Sequence, residues 1–278
     1  MEQPFAAREV PADLRPAVTR LWWLRMPSPQ RFERIVPIPA VHVIVNLSEP
    51  YTVVRRGREA VGDVFPAGFV SGVQLEYLLN ENPPLIHHVG AELTPWGLRA
   101  FGVDPAAVAQ RVVDAEGVFP GAGAVREAAL SDPRGAEGAL DAIEGLLRAR
   151  RDPRWQADRR IQDAVAAIME HPASRMDDLA ARAGLTPKGF IALFRRHLGV
   201  TPKRFAEVCR HHDFLQRLPV EGELPTWTEL LAHGPYYDQP AFIREFRRFT
   251  GMTPTAYLEH RRRYGPGDPS FLPLEDAG

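Results

Sequence analysis

In the first third of the chain, apolar and polar positions alternate with a period of two in several short runs. Val41-His42-Val43-Ile44-Val45-Asn46-Leu47 puts Val41, Val43, Val45 and Leu47 on one face of a strand. Val73 to Leu79 alternates in the same way, and Ile86 to Leu93 does so less regularly. Turn-forming residues separate these runs: Glu49-Pro50, Arg56-Gly57, Pro66-Ala67-Gly68 and Asn80-Glu81-Asn82-Pro83-Pro84. The pattern predicts a small sheet or barrel. After Pro95 the pattern changes. Asp104-Pro105 opens a capped helix with proline at its first position, and Leu140, Ile143, Leu146 and Leu147 recur at helical spacing within Gly135 to Arg150. Arg150-Arg151-Asp152-Pro153-Arg154 is charged and proline-interrupted, which marks a boundary, and beyond it the pattern is helical almost to Tyr264. Gly265 to Gly278 has no periodicity and is expected to be disordered. The expectation is an α+β chain. A β-rich N-terminal sheet or small barrel with helices spans 1–152, an all-α domain spans 157–264, and a disordered tail covers 265–278.

Composition narrows the class. The 278 residues leave room for two domains, and 45% hydrophobic with 25% charged residues is globular composition. The net charge of −1 hides an asymmetry. From Trp155 to Tyr264, 17 basic residues stand against 13 acidic ones, whereas residues 1–154 carry 17 against 19 and the last fourteen carry three acids and no base. No apolar run reaches the roughly 18 residues that span a bilayer. Met1-Glu2-Gln3-Pro4-Phe5 lacks the basic-then-apolar order of a secretory signal. A lone cysteine, Cys209, gives neither an internal disulfide nor a zinc site by itself, and reads as a buried small hydrophobe. A soluble cytoplasmic protein without membrane contact is expected.

Within the helical half, two stretches share one order of features. In MDDLAARAGLTPKGFIALFRRHLGVTPKRF, from Met176 to Phe205, a short helix with Leu179, Ala180 and Ala183 inside leads to a turn at Gly184. Thr186-Pro187 then caps and starts a second helix whose apolar stripe is Phe190, Leu193 and Phe194. Small alanines permit close helix approach, and the turn sets a helix-turn-helix crossing. TWTELLAHGPYYDQPAFIREFRRFTGMTPTAYL, from Thr226 to Leu258, repeats the order with Phe242, Phe246 and Phe249 inside. The endings LGVTPKRF and TGMTPTAYL match closely, and a helix of about Pro202 to Leu218 joins the two units.

YYDQPAFIREFRRFTGMTPTAYL closely resembles the signature of AraC/XylS-type transcriptional regulators, and the resemblance extends from about Ile161 to Arg263. It implies a seven-helix DNA-binding domain whose two recognition helices enter successive major-groove segments on one face of the DNA. An N-terminal domain would bind an effector, dimerise, or both; Phe101-Gly102-Val103-Asp104-Pro105 through Val112-Val113-Asp114 resembles the sensor-like domains joined to such modules. The implied partners are double-stranded promoter DNA, RNA polymerase, a small-molecule effector and a second copy of the chain. Outward positions that can meet bases or phosphates are Thr186, Lys188, Ala192, Arg195 and Arg196 on the first recognition helix. On the second they are Tyr237, Gln239, Ala241, Arg244, Arg247 and Arg248. Arg244 suits bidentate pairing with guanine.

The chain departs from that pattern in places. Gly189, Ile191 and Ala192 stand where relatives carry larger polar or basic side chains, which shifts the first helix from base readout towards positioning. Leu231 replaces a small residue, and Pro235 takes the place of the turn glycine, so this turn must be built differently, through Gly234. Trp22, Trp23, His42 and Trp96 are the candidate lining of an effector site. His42, His87, His88 and Glu92 lack metal-ligand spacing, since His87 and His88 fall on opposite faces of a strand. His211-His212 reads as a surface pair. No catalytic constellation or cofactor motif is present, and Gly121-Ala122-Gly123 lacks the strand context of a phosphate loop.

Overall fold

The computed structural model describes residues 4–54, 62–218, 239–265 and 267–275. The strands of the N-terminal part are β1 (Phe5–Arg8), β2 (Val18–Pro27), β3 (Phe32–Ile35), β4 (Val41–Asn46), β5 (Tyr51–Val54), β6 (Gly62–Phe65), β7 (Gly68–Ser71), β8 (Leu78–Glu81), β9 (Leu85–Leu93) and β10 (Val112–Asp114). Its helices are α1 (Pro105–Val108), α2 (Ala115–Val118), α3 (Ala122–Ser131) and α4 (Ala136–Arg150). The C-terminal part contains α5 (Arg159–Glu170), α6 (Met176–Arg182), α7 (Pro187–Leu198), α8 (Pro202–Arg217), α9 (Gln239–Thr250) and α10 (Pro254–Tyr264), followed by β11 (Phe271–Leu274). The fold is α+β, β-rich at the N-terminus and helical at the C-terminus.

Two antiparallel sheets form, in the orders β1-β2-β9-β4-β7-β10 and β11-β3-β8-β5-β6. Alternation decides what each face of the first sheet meets. Val41, Val43, Val45, Val89, Ala91 and Leu93 turn towards α3 and α4, where Leu140, Ile143 and Leu147 cover them. Ile44 and Ile86 turn the other way and pack with Tyr51, Phe65 and Phe69. The strands expected at Val41–Leu47 and Ile86–Leu93 are thus β4 and β9. Val73–Leu79 differs: only Leu78 and Leu79 are strand, and 72–77 is a loop. Val73 and Leu75 still meet the main core, so the alternation there records burial rather than pairing.

That main core does not stop at the end of α4. Trp155, Ile161, Val165, Phe190, Phe194 and Phe205 continue it into the first helical unit. A second core gathers Phe214, Leu215, Leu218, Phe242, Phe246, Tyr257 and Leu258 from α8, α9 and α10 with Val36 and Leu272. Within the tail expected to be disordered, residues 267–275 are ordered. Phe271 to Leu274 pairs antiparallel with Ile35 to Phe32, and Leu272 is completely buried. A four-residue strand containing Pro273 shows no periodicity, and its partner lies more than two hundred positions away.

On β3, Glu33 accepts a long hydrogen bond of 3.5 Å from the Asn82 amide. Burial lifts its carboxyl to about 7, and nearby Asp268 pushes in the same direction. The folded chain therefore loses stability as pH rises from the carboxyl's unfolded value through about 7. Glu33→Gln is expected to stabilise the protein above about pH 7 by about 1–3 kcal/mol, with the gain fading towards about pH 5. Urea unfolding at the two pH values measures it; a pH-independent difference would rule the ionisation out as its source.

Candidate nucleic-acid interface

Each helical unit is set by local chemistry at its helix ends. α6 is followed by Gly184 at φ +67°, where no other atom lies within 4 Å of a built Cβ, so the turn alone requires the glycine. Thr186 is extended, and its hydroxyl accepts from the Gly189 N–H at 3.1 Å, with Pro187 opening α7. At the other end Gly199 stands at φ +76°. The Thr201 hydroxyl then accepts from Arg204 N–H at 3.4 Å to open α8. α9 ends in the same way at Gly251, φ +72°, and the Thr253 hydroxyl accepts from Ala256 N–H at 3.2 Å to open α10. The shared Gly-x-Thr-Pro is therefore a helix stop followed by a helix start, used once in each unit.

Inside, Phe190 and Phe194 pack at 5.0 Å, and Phe194 meets Phe205 at 6.1 Å. In the second unit Phe242 and Phe246 pack at 5.6 Å, and Phe246 meets Tyr257 at 5.4 Å. The opposite sides carry the basic residues. Thr186, Lys188, Ala192, Arg195 and Arg196 are exposed on α7, as are Arg244 and Arg247 on α9. None of Lys188, Arg195, Arg196, Arg244 and Arg247 forms an ion pair among the described residues, so their charges are available to phosphate. Gln239 and Ala241 are half-buried on α9. Tyr237 lies outside the described residues, as do Leu231, Gly234 and Pro235.

Arg248 does not join that face. Its guanidinium pairs with Glu207 on α8 at 2.9 Å, donates to the Leu75 carbonyl at 3.4 Å and lies 4.3 Å from the Phe249 ring centroid. Helical geometry puts it only about 40° around the axis from Arg244, too little to separate them by periodicity. The acid on α8 decides the difference. His211 is also corrected: it is buried to 0% exposure against Phe249. Cys209 is buried beside it on α8, and burial pushes its thiol up, which suits a packing role.

Both α7 and α9 end against the N-terminal domain. A Cβ on Gly199 would lie 2.5 Å from the Pro105 carbonyl oxygen and from the Ala109 Cβ. A Cβ on Gly251 would lie 2.8 Å from the Tyr77 ring, over which Arg34 rests. The loop that sequence alternation read as a strand thus carries Leu75 and Tyr77 to the second unit, as α1 carries Pro105 to the first. Arg99 adds a 3.5 Å hydrogen bond to the Arg196 carbonyl.

The four candidate effector residues separate. Trp23 belongs to the helix-covered core. Trp96 packs against that core, and its indole donates to the Pro16 carbonyl at 3.1 Å. Trp22 meets His88 edge-on at 4.5 Å, while His87 meets Trp23, so the adjacent histidines do face opposite ways. The Tyr51 hydroxyl lies 3.3 Å from His88 Nδ1. His42 lies 3.8 Å from Glu92, which also accepts from the Thr19 hydroxyl at 2.6 Å; both neighbours hold the Glu92 carboxyl down at about 2. Among the described residues no three His, Cys, Asp or Glu side chains gather as a metal ion would require. The Gly121 and Gly123 N–H groups donate to the Glu116 carboxylate, both at 2.8 Å, so this glycine loop holds a side chain of its own chain.

Comparison with known proteins follows the same division. Residues 179–260 match a family model described as a helix-turn-helix domain, and residues 9–114 match one described as a domain of unknown function, DUF6597. An uncharacterized HTH-type transcriptional regulator of Bacillus subtilis, YtdP, is 23% identical over 126 residues, covering 44% of this chain and 16% of that protein. An uncharacterized HTH-type transcriptional regulator of Haemophilus influenzae is 26% identical over 104 residues, covering 36% of this chain and 34% of that protein. The chain spans well under half the length of either relative. A structure of ToxT from Vibrio cholerae aligns with a TM-score of 0.46 at 10% identity, covering 92% of this chain and 98% of that one. The C-terminal part is a helix-turn-helix DNA-binding domain. It is of the AraC type. Among the described residues, no helix is long and apolar enough to cross a membrane.

Proposed function

We propose that the protein is a sequence-specific transcription regulator, non-enzymatic and cytoplasmic, which binds promoter DNA through α7 and α9. The observation that supports this most directly is the pair of exposed arginine sets, Arg195 with Arg196 and Arg244 with Arg247. They are unpaired among the described residues, while Arg204, Arg210 and Arg248 around them are held by Glu207 and Glu245. Phosphate contacts fix register and a few side chains read bases; Lys188 and Arg195 suit the first role and Arg244 the second. The N-terminal domain acts on this reading because it abuts the C-terminal end of each recognition helix, at Gly199 and at Gly251. A small-molecule effector or a second copy of the chain bound by that domain would alter how the helices are presented. Trp22 and His42, which lie outside the helix-covered core, remain candidates for effector contact, whereas Trp23 and Trp96 serve the core. RNA polymerase is the partner such a complex would meet at a promoter, in the nucleoid.

Fluorescence anisotropy on a duplex enriched from a random pool by the full chain tests the reading. Arg244→Ala is expected to weaken binding by about 1–3 kcal/mol and to relax preference at one base pair. The affinity of wild type is expected to fall steeply with salt. Equal binding to enriched and scrambled duplexes would refute sequence-specific recognition.

A further inference from the structure

The tail after α10 joins the second helical unit to the second sheet through a strand of its own. Asp268 starts a turn in which its carboxylate accepts from Ser270 N–H at 2.8 Å. The Ser270 carbonyl then accepts from Val36 N–H at 2.8 Å, and β11 continues along β3 as the edge of the second sheet. On its other side the same segment is held by α10. The Tyr257 hydroxyl donates to the Pro269 carbonyl at 3.1 Å, the His260 ring lies 2.5 Å from the Pro273 carbonyl, and Arg263 pairs with Glu275. Leu272 completes the connection: with Val36 of the N-terminal domain it is buried among Phe242, Phe246 and Tyr257 of the second unit.

From this we infer that residues 268–275 are a positioning strap for DNA reading. The strap ties α9, through α10, to the edge of the N-terminal sheet, so the second recognition helix meets DNA at an orientation fixed by that sheet. The strap leaves the reading face open, since Arg244 and Arg247 remain exposed with it in place. It is therefore closed in the DNA-bound protein, and it is not an inhibitory cover. The inference rests on the DNA-binding reading above, but its geometry can be tested without DNA.

Two changes to the full chain test it. Ile35→Cys with Phe271→Cys places thiols at directly opposed positions of the antiparallel pair, within reach of a disulfide. Oxidation is expected to cross-link them, as read by mass; failure to cross-link would overturn the strand pairing itself. On the enriched duplex, the oxidised protein is expected to bind within twofold of its reduced form and to keep the full penalty of Arg244→Ala. A tenfold loss on oxidation, restored by reductant, would show that the strap must open and would overturn the proposal. Deletion of 266–278 is expected to weaken binding about tenfold and to shrink the Arg244→Ala penalty while leaving that of Arg195→Ala in place. Unchanged or tighter binding after deletion would also overturn it. If neither protein prefers the enriched duplex to a scrambled one, the DNA-binding reading has failed, and the cross-link still decides whether the strap exists.

Discussion

Gly199→Ala is expected to destabilise the protein by about 2–5 kcal/mol, and Gly184→Ala by only about 1–2 kcal/mol, although both glycines stand in the left-handed region after a helix. The backbone cost of giving an L-residue that conformation is common to both. The difference lies in what a methyl group meets. At Gly184 nothing lies within 4 Å, whereas at Gly199 it would press on the Pro105 carbonyl oxygen and the Ala109 Cβ, each at 2.5 Å. Those are atoms of backbone and of a small rigid side chain, so relief requires α1 to move from α7. Gly251→Ala should fall between the two, because its nearest neighbour is the ring of Tyr77 at 2.8 Å, which can rotate or shift. Equilibrium urea unfolding of the three single variants ranks them. If Gly199→Ala costs no more than Gly184→Ala, the close seat of α7 against α1 is wrong. The mechanism of control argued from that seat would fall with it.

The same glycines show what the sequence makes legible. Helix stops and starts are local: Gly-x-Thr-Pro states them in four residues, and the structure repeats them at Gly199–Pro202 and Gly251–Pro254. The apolar stripes Phe190–Phe194 and Phe242–Phe249 are equally local, because a period of about 3.6 fixes which side is buried. That each glycine also abuts the other domain cannot be read from its neighbours in the chain. Arg248 is lost for the same reason. It lies on nearly the same side of α9 as Arg244, and only Glu207, on another helix, draws it inward. The exposed candidates Lys188, Arg195, Arg196, Arg244 and Arg247 follow from helical spacing alone. The loop at 72–77 and the strand at Phe271–Leu274 miscarry in opposite senses. One has alternation without a ladder, the other a ladder with too few residues and a proline to show alternation. His211, next to a half-buried His212 in a polar run, carries no mark of its burial until Phe246 and Phe249 are folded against it.

Acid is expected to destabilise the protein through that histidine by about 2 kcal/mol between about pH 7 and about pH 5. His211 is stacked on Phe249 at 4.4 Å and lies edge-on to Phe246 at 5.3 Å, and neither ring nitrogen has a hydrogen-bond partner among the described residues. Burial pushes it down to about 3, and the neighbouring charges of Arg248, His212 and Arg210 act in the same direction. The unfolded chain takes up the proton near an ordinary histidine value of about 6.5. Stability from the neutral folded ring is therefore whole above that value and is lost as pH falls towards 3. His88, which burial also lowers to about 3, adds to the loss, whereas Glu33 opposes it. Wild type thus reports a sum, and the variant isolates one part. His211→Phe keeps the stacked ring and removes both nitrogens, so its loss between the two pH values should be smaller than wild type's by about 2 kcal/mol. At neutral pH it should equal or exceed wild type, since an unmet buried N–H costs about 1–3 kcal/mol and a slightly larger ring gives some of that back. Parallel stability–pH curves for the two proteins would mean that His211 already meets the proton in the folded state. The joint between α8 and α9 would then be open to water, contrary to the packing that holds the second recognition helix in place.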